Sequence, residues 1–167
     1  MWGSDMSEPQ AFTRPQRWAQ LAFVEDDPLT FDADFWCDFF RSTHVEGACL
    51  SAGGCIAFYP TEVEGHYRSR WLGEKDLFGE MVHRCRGMGM SVLARVDPHA
   101  VHDDLARAHP EYIQKHADGT MQRHGSHPGY WLTCRLGPYH WDFMMRVTEE
   151  IVERYDIDGI FSNRWAS

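Results

Sequence analysis

Polar and aromatic side chains follow four short apolar segments of the sequence. They comprise carboxylates, imidazoles, an amide, a guanidinium and aromatic rings: Glu25, Asp26, Tyr59, Asp97, His99, His102, Asn163, Arg164 and Trp165. Charged groups make strong hydrogen bonds to hydroxyls, and a flat ring can stack on the C–H face of a sugar. The residue types therefore indicate a polyhydroxylated ligand. Each residue alone also fits a turn, a strand end or a solvated loop, so the interpretation depends on all four segments agreeing.

Some of the same residues could instead bind a metal. Asp97, His99 and His102 form the pattern D-x-H-x-x-H, and His124 and His127 lie further along the chain. Carboxylate and imidazole groups bind zinc and other divalent metals. The spacing matches no strong metal signature, and ten histidines make chance clusters common. We therefore expect no bound metal and no cofactor, and a metal-dependent hydrolase that uses Asp97, His99 and His102 stays an alternative.

Apolar runs and amphipathic segments alternate along the chain. Buried strands are predicted at residues 21–24, 48–52, 92–96 and 157–161. Helices are predicted after a capping Asp32, with an apolar side of Phe35, Trp36, Phe39 and Phe40, at residues 77–88, at residues 101–108 and after Gly137-Pro138. Residues 112–123 predict a small hairpin. This alternation predicts an α/β fold with a parallel sheet, in which the carboxyl ends of the strands gather the candidate side chains on one side.

Composition and charge narrow the partners. The formal net charge of −9 argues against nucleic acid or an anionic membrane, since both need a basic surface. The five cysteines contain no C-x-x-C pair, which favours free thiols in a reducing compartment. Residues 1–16 are expected to form a flexible leader without the apolar stretch of a secretory signal, and no apolar run approaches membrane-spanning length. A cytoplasmic location is the expectation.

Four segments carry a resemblance to a known family. Residues 20–28, 47–54, 94–100 and 158–165 resemble the hypothetical glycosyl hydrolase 6 family, which is similar to α-amylase-type and α-L-fucosidase-type barrels. The stretch from His109 to Tyr112, followed by Asp118-Gly119, also resembles the hairpin that many such barrels carry after the third strand. The resemblance implies that residues 17–167 form the N-terminal half of a (β/α)8 barrel, a partial TIM barrel of four β/α units that ends early.

The resemblance also implies an activity. Glycoside hydrolysis normally needs two carboxyl groups beside the scissile bond. Asp97, Glu25 and His99 are the candidate catalytic residues, and the remaining polar and aromatic residues named above are candidate substrate-binding residues. Related retaining barrels commonly have a nucleophilic Asp at the end of strand four, where this sequence has Asn163. The second carboxylate is therefore expected on strands that follow residue 167, and a non-catalytic carbohydrate-binding or structural half-barrel stays a further alternative.

A half-barrel also predicts how the chain behaves towards other molecules. A carbohydrate is the expected ligand, and Tyr59 and Trp165 are expected to be partly exposed as platforms for a sugar ring. Four strands leave two unpaired edges, which favour a homo-oligomer. The inner face of the sheet is expected to lie open and to carry apolar residues such as Leu21, Phe23, Leu50, Val92 and Phe161.

Overall fold

The computed structural model describes residues 17–163. Its strands are β1 (Trp18–Leu21), β2 (Gly47–Gly54), β3 (Ser91–Asp97), β4 (Ala100–His102), β5 (Tyr130–Leu132) and β6 (Gly159–Ser162). Its α-helices are α1 (Ala33–Ser42), α2 (Leu77–Gly87), α3 (Asp103–Ala108) and α4 (Met144–Arg154), the last preceded by a π-helical segment, Tyr139–Phe143. Short 3₁₀ turns lie at Asp27–Leu29 and Pro110–Tyr112. Within this part of the chain, no helix has the length and apolarity needed to cross a membrane.

The main sheet is parallel, as the alternating pattern predicts. Its order is β1-β2-β3-β6, and the register places Leu21 beside Leu50, Ala94 and Ile160. A second, antiparallel sheet pairs β4 with β5 beyond the end of β3. The predicted hairpin packs next to it, with Lys115 bridged to Met121 and the turn residue Gly119 at φ +85°. The helix predicted at residues 101–108 begins only at Asp103, because residues 100–102 form β4.

Helix α1 begins where the sequence predicts and buries part of its predicted apolar side. The Asp32 side chain accepts a hydrogen bond from the Phe35 N–H (3.0 Å) and so caps the helix. Cys37 and Phe40, three residues apart, are 2% and 1% exposed, whereas Phe35 is 58% exposed. The predicted apolar side is therefore buried only in part. At about 100° per residue Phe40 faces the sheet, whereas Phe35 and Phe39 lie further round the helix and are exposed.

The core lies between the sheet and the helices. Along β3, Val92, Ala94 and Val96 are buried, while Leu93 and Arg95 between them are partly exposed on the opposite face. Leu21, Leu50 and Val92 were predicted on the open inner face, and that prediction was wrong: all three are buried in the core beneath the helices. Phe161 is 40% exposed and lies beside Arg95 in register, so it occupies the inner face as predicted.

Candidate functional site

A cavity of about 520 Å³ lies at the carboxyl ends of the parallel strands. Its walls include backbone and side chains from the segment after β1, the end of β2, the end of β3 and the loop before β5. Its polar and aromatic lining residues are Glu25, Asp26, Ser51, Cys55, Arg95, Asp97, His99, His124, His127, Tyr130, Phe23 and Phe58. Of the residues predicted from the sequence, Glu25, Asp26, Asp97 and His99 thus share one cavity, and Asn163 reaches it through Asp97.

Asp97 is held firmly at the end of β3. Its Oδ1 atom accepts hydrogen bonds from Asn163 Nδ2 (2.6 Å) and from Arg95 NH2 (3.0 Å). Its backbone oxygen accepts from the Cys55 N–H (2.9 Å). The carboxylate and the Arg95 side chain are only 21% and 12% exposed, so water screens this ion pair less than it would a surface pair. The arrangement orients one carboxylate at the cavity wall.

The end of β2 approaches Asp97 more closely than a side chain would allow. Gly54 pairs with Asp97 in register and has φ +104°. A Cβ atom there would stand 2.6 Å from the carbonyl carbon of Asp97. Glycine is required on both counts, since it alone readily adopts this backbone conformation and adds no atom at the contact. The Gly53-Gly54 pair that ends β2 is therefore part of the wall behind Asp97.

Glu25 is oriented by the long loop between β2 and α2. Its Oε1 atom accepts a hydrogen bond from the Tyr67 hydroxyl (2.5 Å) and lies 3.3 Å from Arg70 Nε. Burial raises the pKa of Tyr67 to about 12, and the hydrogen bond to Glu25 adds to the shift. The His102 ring stacks on the Tyr67 ring, with 3.9 Å between the ring centroids and 4° between the ring planes. His102, predicted to bind substrate, thus supports the tyrosine that holds Glu25 and does not line the cavity.

Tyr59 lies elsewhere than predicted. It is 0% exposed and packs edge-on against Tyr155. Its hydroxyl donates a hydrogen bond to Glu150 Oε2 (2.7 Å). The prediction of a partly exposed stacking platform was therefore wrong, because the chain turns inward after β2 and places this ring in the core. Arg164 and Trp165, also predicted to bind substrate, lie outside the described residues.

Of the histidines at the cavity, only His99 was predicted in the site from the sequence, and His124 and His127 were noted only beside the metal alternative. The structure brings all three to the cavity as an imidazole wall, which we define as His99, His124 and His127. The ring centroids of His99 and His124 are 5.6 Å apart, and those of His124 and His127 are 5.0 Å apart. His124 Nδ1 accepts from the backbone N–H groups of Ser126 (3.3 Å) and His127 (3.2 Å), which places its ring proton on Nε2. The hairpin after strand three was the available signal, since it delivers His124 and His127 to the end of β3.

The geometry does not favour the metal-dependent alternative. Among residues 17–163, no group of three or more His, Cys, Asp or Glu side chains is arranged to hold a metal ion. In the predicted set of Asp97, His99 and His102, the His102 ring is instead stacked on Tyr67. The carboxylate of Asp97 is directed towards Arg95 and Asn163. These three residues therefore do not form a common site.

Comparison with known proteins decides the family. The model of the family described as hypothetical glycosyl hydrolase 6 matches residues 33–164. The chain belongs to this glycosyl hydrolase-like family. A search of curated proteins finds no match to the chain. The family match covers the ends of β2, β3 and β6, and with them Asp97, His99 and Asn163, whereas Glu25 and Asp26 precede it.

Larger solved structures, among them two glycosidases, share this fold. α-L-Fucosidase isoenzyme 2 from Paenibacillus thiaminolyticus is 22% identical with a TM-score of 0.72, over 90% of this chain and 23% of that one. A maltogenic α-amylase from Thermotoga neapolitana is 17% identical with a TM-score of 0.58, over 87% of this chain and 38% of that one. A hypothetical protein from Ruminiclostridium thermocellum is 14% identical with a TM-score of 0.64, over 88% of this chain and 75% of that one. The family member is thus a partial (β/α)8 barrel, spanning well under half the length of the fucosidase and the amylase.

Proposed function

We propose that this chain binds a glycoside in the cavity at its strand ends and provides the Asp97 side of a hydrolytic site. The observation that carries the proposal is the carboxylate of Asp97, oriented by Arg95 and Asn163 at the wall of a cavity in a glycosyl hydrolase-like fold. Glu25 supplies a second carboxylate to the same cavity. Glycoside hydrolysis requires two carboxyl groups beside the scissile bond. We propose Glu25 as the partner of Asp97, in place of a carboxylate on later strands.

The remaining lining groups suit a sugar. The imidazole wall provides ring nitrogens for hydroxyl groups, and Phe23 and Tyr130 provide apolar surface for the C–H face of a ring. Phe23 is held edge-on by Phe31 (5.1 Å between centroids) and Phe58 (5.3 Å). The site therefore combines fixed hydrogen-bonding groups with rigid aromatic faces, as binding sites for small polar ligands commonly do.

Sugar binding without hydrolysis is a second candidate, and Asn163 favours it. An asparagine stands where the family resemblance implies a nucleophilic Asp, and an amide cannot become an anionic nucleophile. In this chain the amide serves Asp97 instead, as a donor at 2.6 Å. The two candidates share the binding step and differ in the chemical step.

Titration and turnover separate these candidates. The 167-residue chain is titrated with mono- and oligosaccharides, including L-fucose and maltooligosaccharides, while tryptophan fluorescence is followed. It is also assayed on aryl α-L-fucosides and aryl α-glucosides. We expect Asp97→Asn and Glu25→Gln each to weaken sugar binding at least tenfold, because hydrogen bonds to charged groups contribute about 1.5–3 kcal/mol each.

The matched control is Glu149→Gln, which removes an exposed carboxylate on α4 away from the cavity. It should leave binding unchanged. Binding without turnover supports the second candidate over the first. A folded chain that binds no sugar in the panel excludes both.

A further inference from the structure

We infer that His66 is a positioning residue for the cavity, which fixes the end of β2 behind Asp97 as a neutral imidazole with its proton on Nδ1. The inference rests on the proposed function, since it concerns how that same cavity keeps its shape. His66 lies in the loop between β2 and α2, is 6% exposed and does not line the cavity. It can act on the site only through the groups that it contacts.

The hydrogen bonds around His66 have a single allowed direction. The Gly54 backbone N–H donates to His66 Nε2 (3.2 Å), so that this nitrogen is the acceptor. In a neutral imidazole the other nitrogen then carries the proton. His66 Nδ1 therefore donates to Thr61 Oγ1 (3.1 Å), and the Thr61 hydroxyl donates in turn to Glu150 Oε2 (2.6 Å). These hydrogen bonds form a series from Gly54 on β2 through His66 and Thr61 to Glu150 on α4, and each hydrogen-bonding proton in it has one position.

The far end of this series is anchored by a carboxylate. Glu150 also accepts hydrogen bonds from the Tyr59 hydroxyl (2.7 Å) and the Glu62 N–H (2.5 Å). Burial alone would raise the pKa of Glu150, but the hydrogen bonds from Thr61, Glu62 and Tyr59 outweigh it and lower the pKa. Burial also lowers the pKa of His66 to about 4. A neutral imidazole and an ionised carboxylate are thus the stable pair near neutral pH.

The near end of the series reaches Asp97. The His66 ring lies so close over β2 that a Cβ at Gly53 would stand 2.9 Å from His66 Cε1. The next residue, Gly54, pairs with Asp97, and the Cys55 N–H donates to the Asp97 backbone oxygen (2.9 Å). His66 therefore holds the peptide that forms the wall directly behind the proposed catalytic carboxylate.

A simple packing role makes a different prediction. The His66 ring also packs against the rings of Tyr59 and Phe143, with 5.9 Å and 6.0 Å between the ring centroids. A residue that only fills this space needs a suitable shape but no hydrogen-bond acceptor. A positioning residue needs an acceptor at the Nε2 position. In His66→Gln the amide oxygen can take the place of Nε2, whereas in His66→Asn the amide lies near Nδ1 and the acceptor for Gly54 is lost.

The test compares these two variants by NMR and by sugar titration of the 167-residue chain. The NMR reporters are the Gly54 backbone amide and the Asn163 side-chain amide, which donates to Asp97. We expect both resonances in His66→Gln to stay close to those of the wild type and both to move in His66→Asn. The dissociation constant of the best-bound sugar in the panel should change less than threefold in His66→Gln and rise at least tenfold in His66→Asn.

Each other outcome is decisive as well. Equal losses in both variants, or no change in either, mean that His66 only packs, and they overturn the inference. If the wild type binds no sugar, the proposed function fails, and the two amide resonances still decide the positioning role. If both variants fail to fold, the ring ¹⁵N spectrum of the wild type at pH 7 decides: an Nδ1–H tautomer supports the inference, and an Nε2–H tautomer or an imidazolium overturns it.

Discussion

His66 links the stability of the protein to pH. Its pKa is about 4 in the folded chain, chiefly because burial disfavours the imidazolium, with Glu150 acting in the opposite direction. An unfolded histidine titrates near 6.5. Between these values the unfolded state binds a proton that the folded state does not, so the free energy of unfolding falls as pH falls through this range. Above pH 6.5 the contribution of the neutral imidazole is fully present.

We therefore expect about 2 kcal/mol of unfolding free energy to be lost from this group between pH 7 and pH 5. Urea unfolding at both pH values measures it, with His66→Gln as the reference, since every other titrating group is shared. The difference between wild type and variant should shrink by that amount as the pH is lowered. A pH dependence identical in the two proteins would contradict a buried neutral imidazole at this position.

The end of β2 makes a prediction at the scale of an element. Gly54→Ala adds a methyl group against the Asp97 backbone and places a side chain at φ +104°. We expect a loss of at least about 2 kcal/mol of unfolding free energy, together with weaker sugar binding, because both a steric clash and backbone strain are introduced.

Gly89→Ala is the matched control for this substitution. Gly89 also has a positive φ (+74°), but a Cβ there meets nothing within 4 Å. Gly89→Ala should lower the free energy of unfolding only through the strain of a left-handed backbone, by roughly 1–2 kcal/mol. It should leave sugar binding unchanged. Chemical denaturation and the sugar titration compare the two variants. Equal effects on both measurements would mean that the contact between β2 and Asp97 has no role in the site.

The elements also show where sequence reasoning succeeds and where it stops. Alternating apolar runs predicted the parallel sheet, because each buried strand must carry apolar side chains. The same rule misplaced β1, which the continuous run Leu21 to Val24 suggested but which spans Trp18–Leu21. After Leu21 the chain leaves the ladder: the Phe23 N–H donates to the Ser51 hydroxyl (3.1 Å), and Phe23 faces the cavity. Hydrophobicity alone cannot separate a strand from an apolar cavity wall.

Parts of the site that depend on distant contacts could not be predicted. Asp97 and Glu25 follow strand ends, so the parallel topology places them at one edge of the sheet. Tyr59, in contrast, is fixed by a hydrogen bond to Glu150, which lies 91 residues further along the chain. His66 is likewise fixed by contacts with β2 and, through Thr61, with α4. No local pattern around these residues distinguishes a buried ring from an exposed one.

Two neighbouring surfaces of the sheet are candidates for association with another copy of the chain. Among residues 17–163, no strand pairs with the outer side of β6. An edge strand carries backbone donors and acceptors that can bind a further strand. The inner face of the sheet adds Phe161 on the same strand, and Phe161 is 40% exposed. We propose that the 167-residue chain self-associates through the β6 edge and this face.

Substitution of Phe161 tests this proposal. Burying the exposed part of its ring is expected to contribute about 2 kcal/mol per chain, at roughly 25 cal/mol per Å² and a ring surface on the order of 200 Å². Phe161→Glu should therefore weaken self-association at least tenfold. Leu136→Glu is the control, since Leu136 is 91% exposed in the turn that follows β5 and belongs to no strand. Size-exclusion chromatography with light scattering, over a range of concentrations, gives the mass of each protein. A wild-type chain that stays monomeric throughout would show that neither the β6 edge nor the inner face binds a second copy. An equal response to both substitutions would place the contact elsewhere.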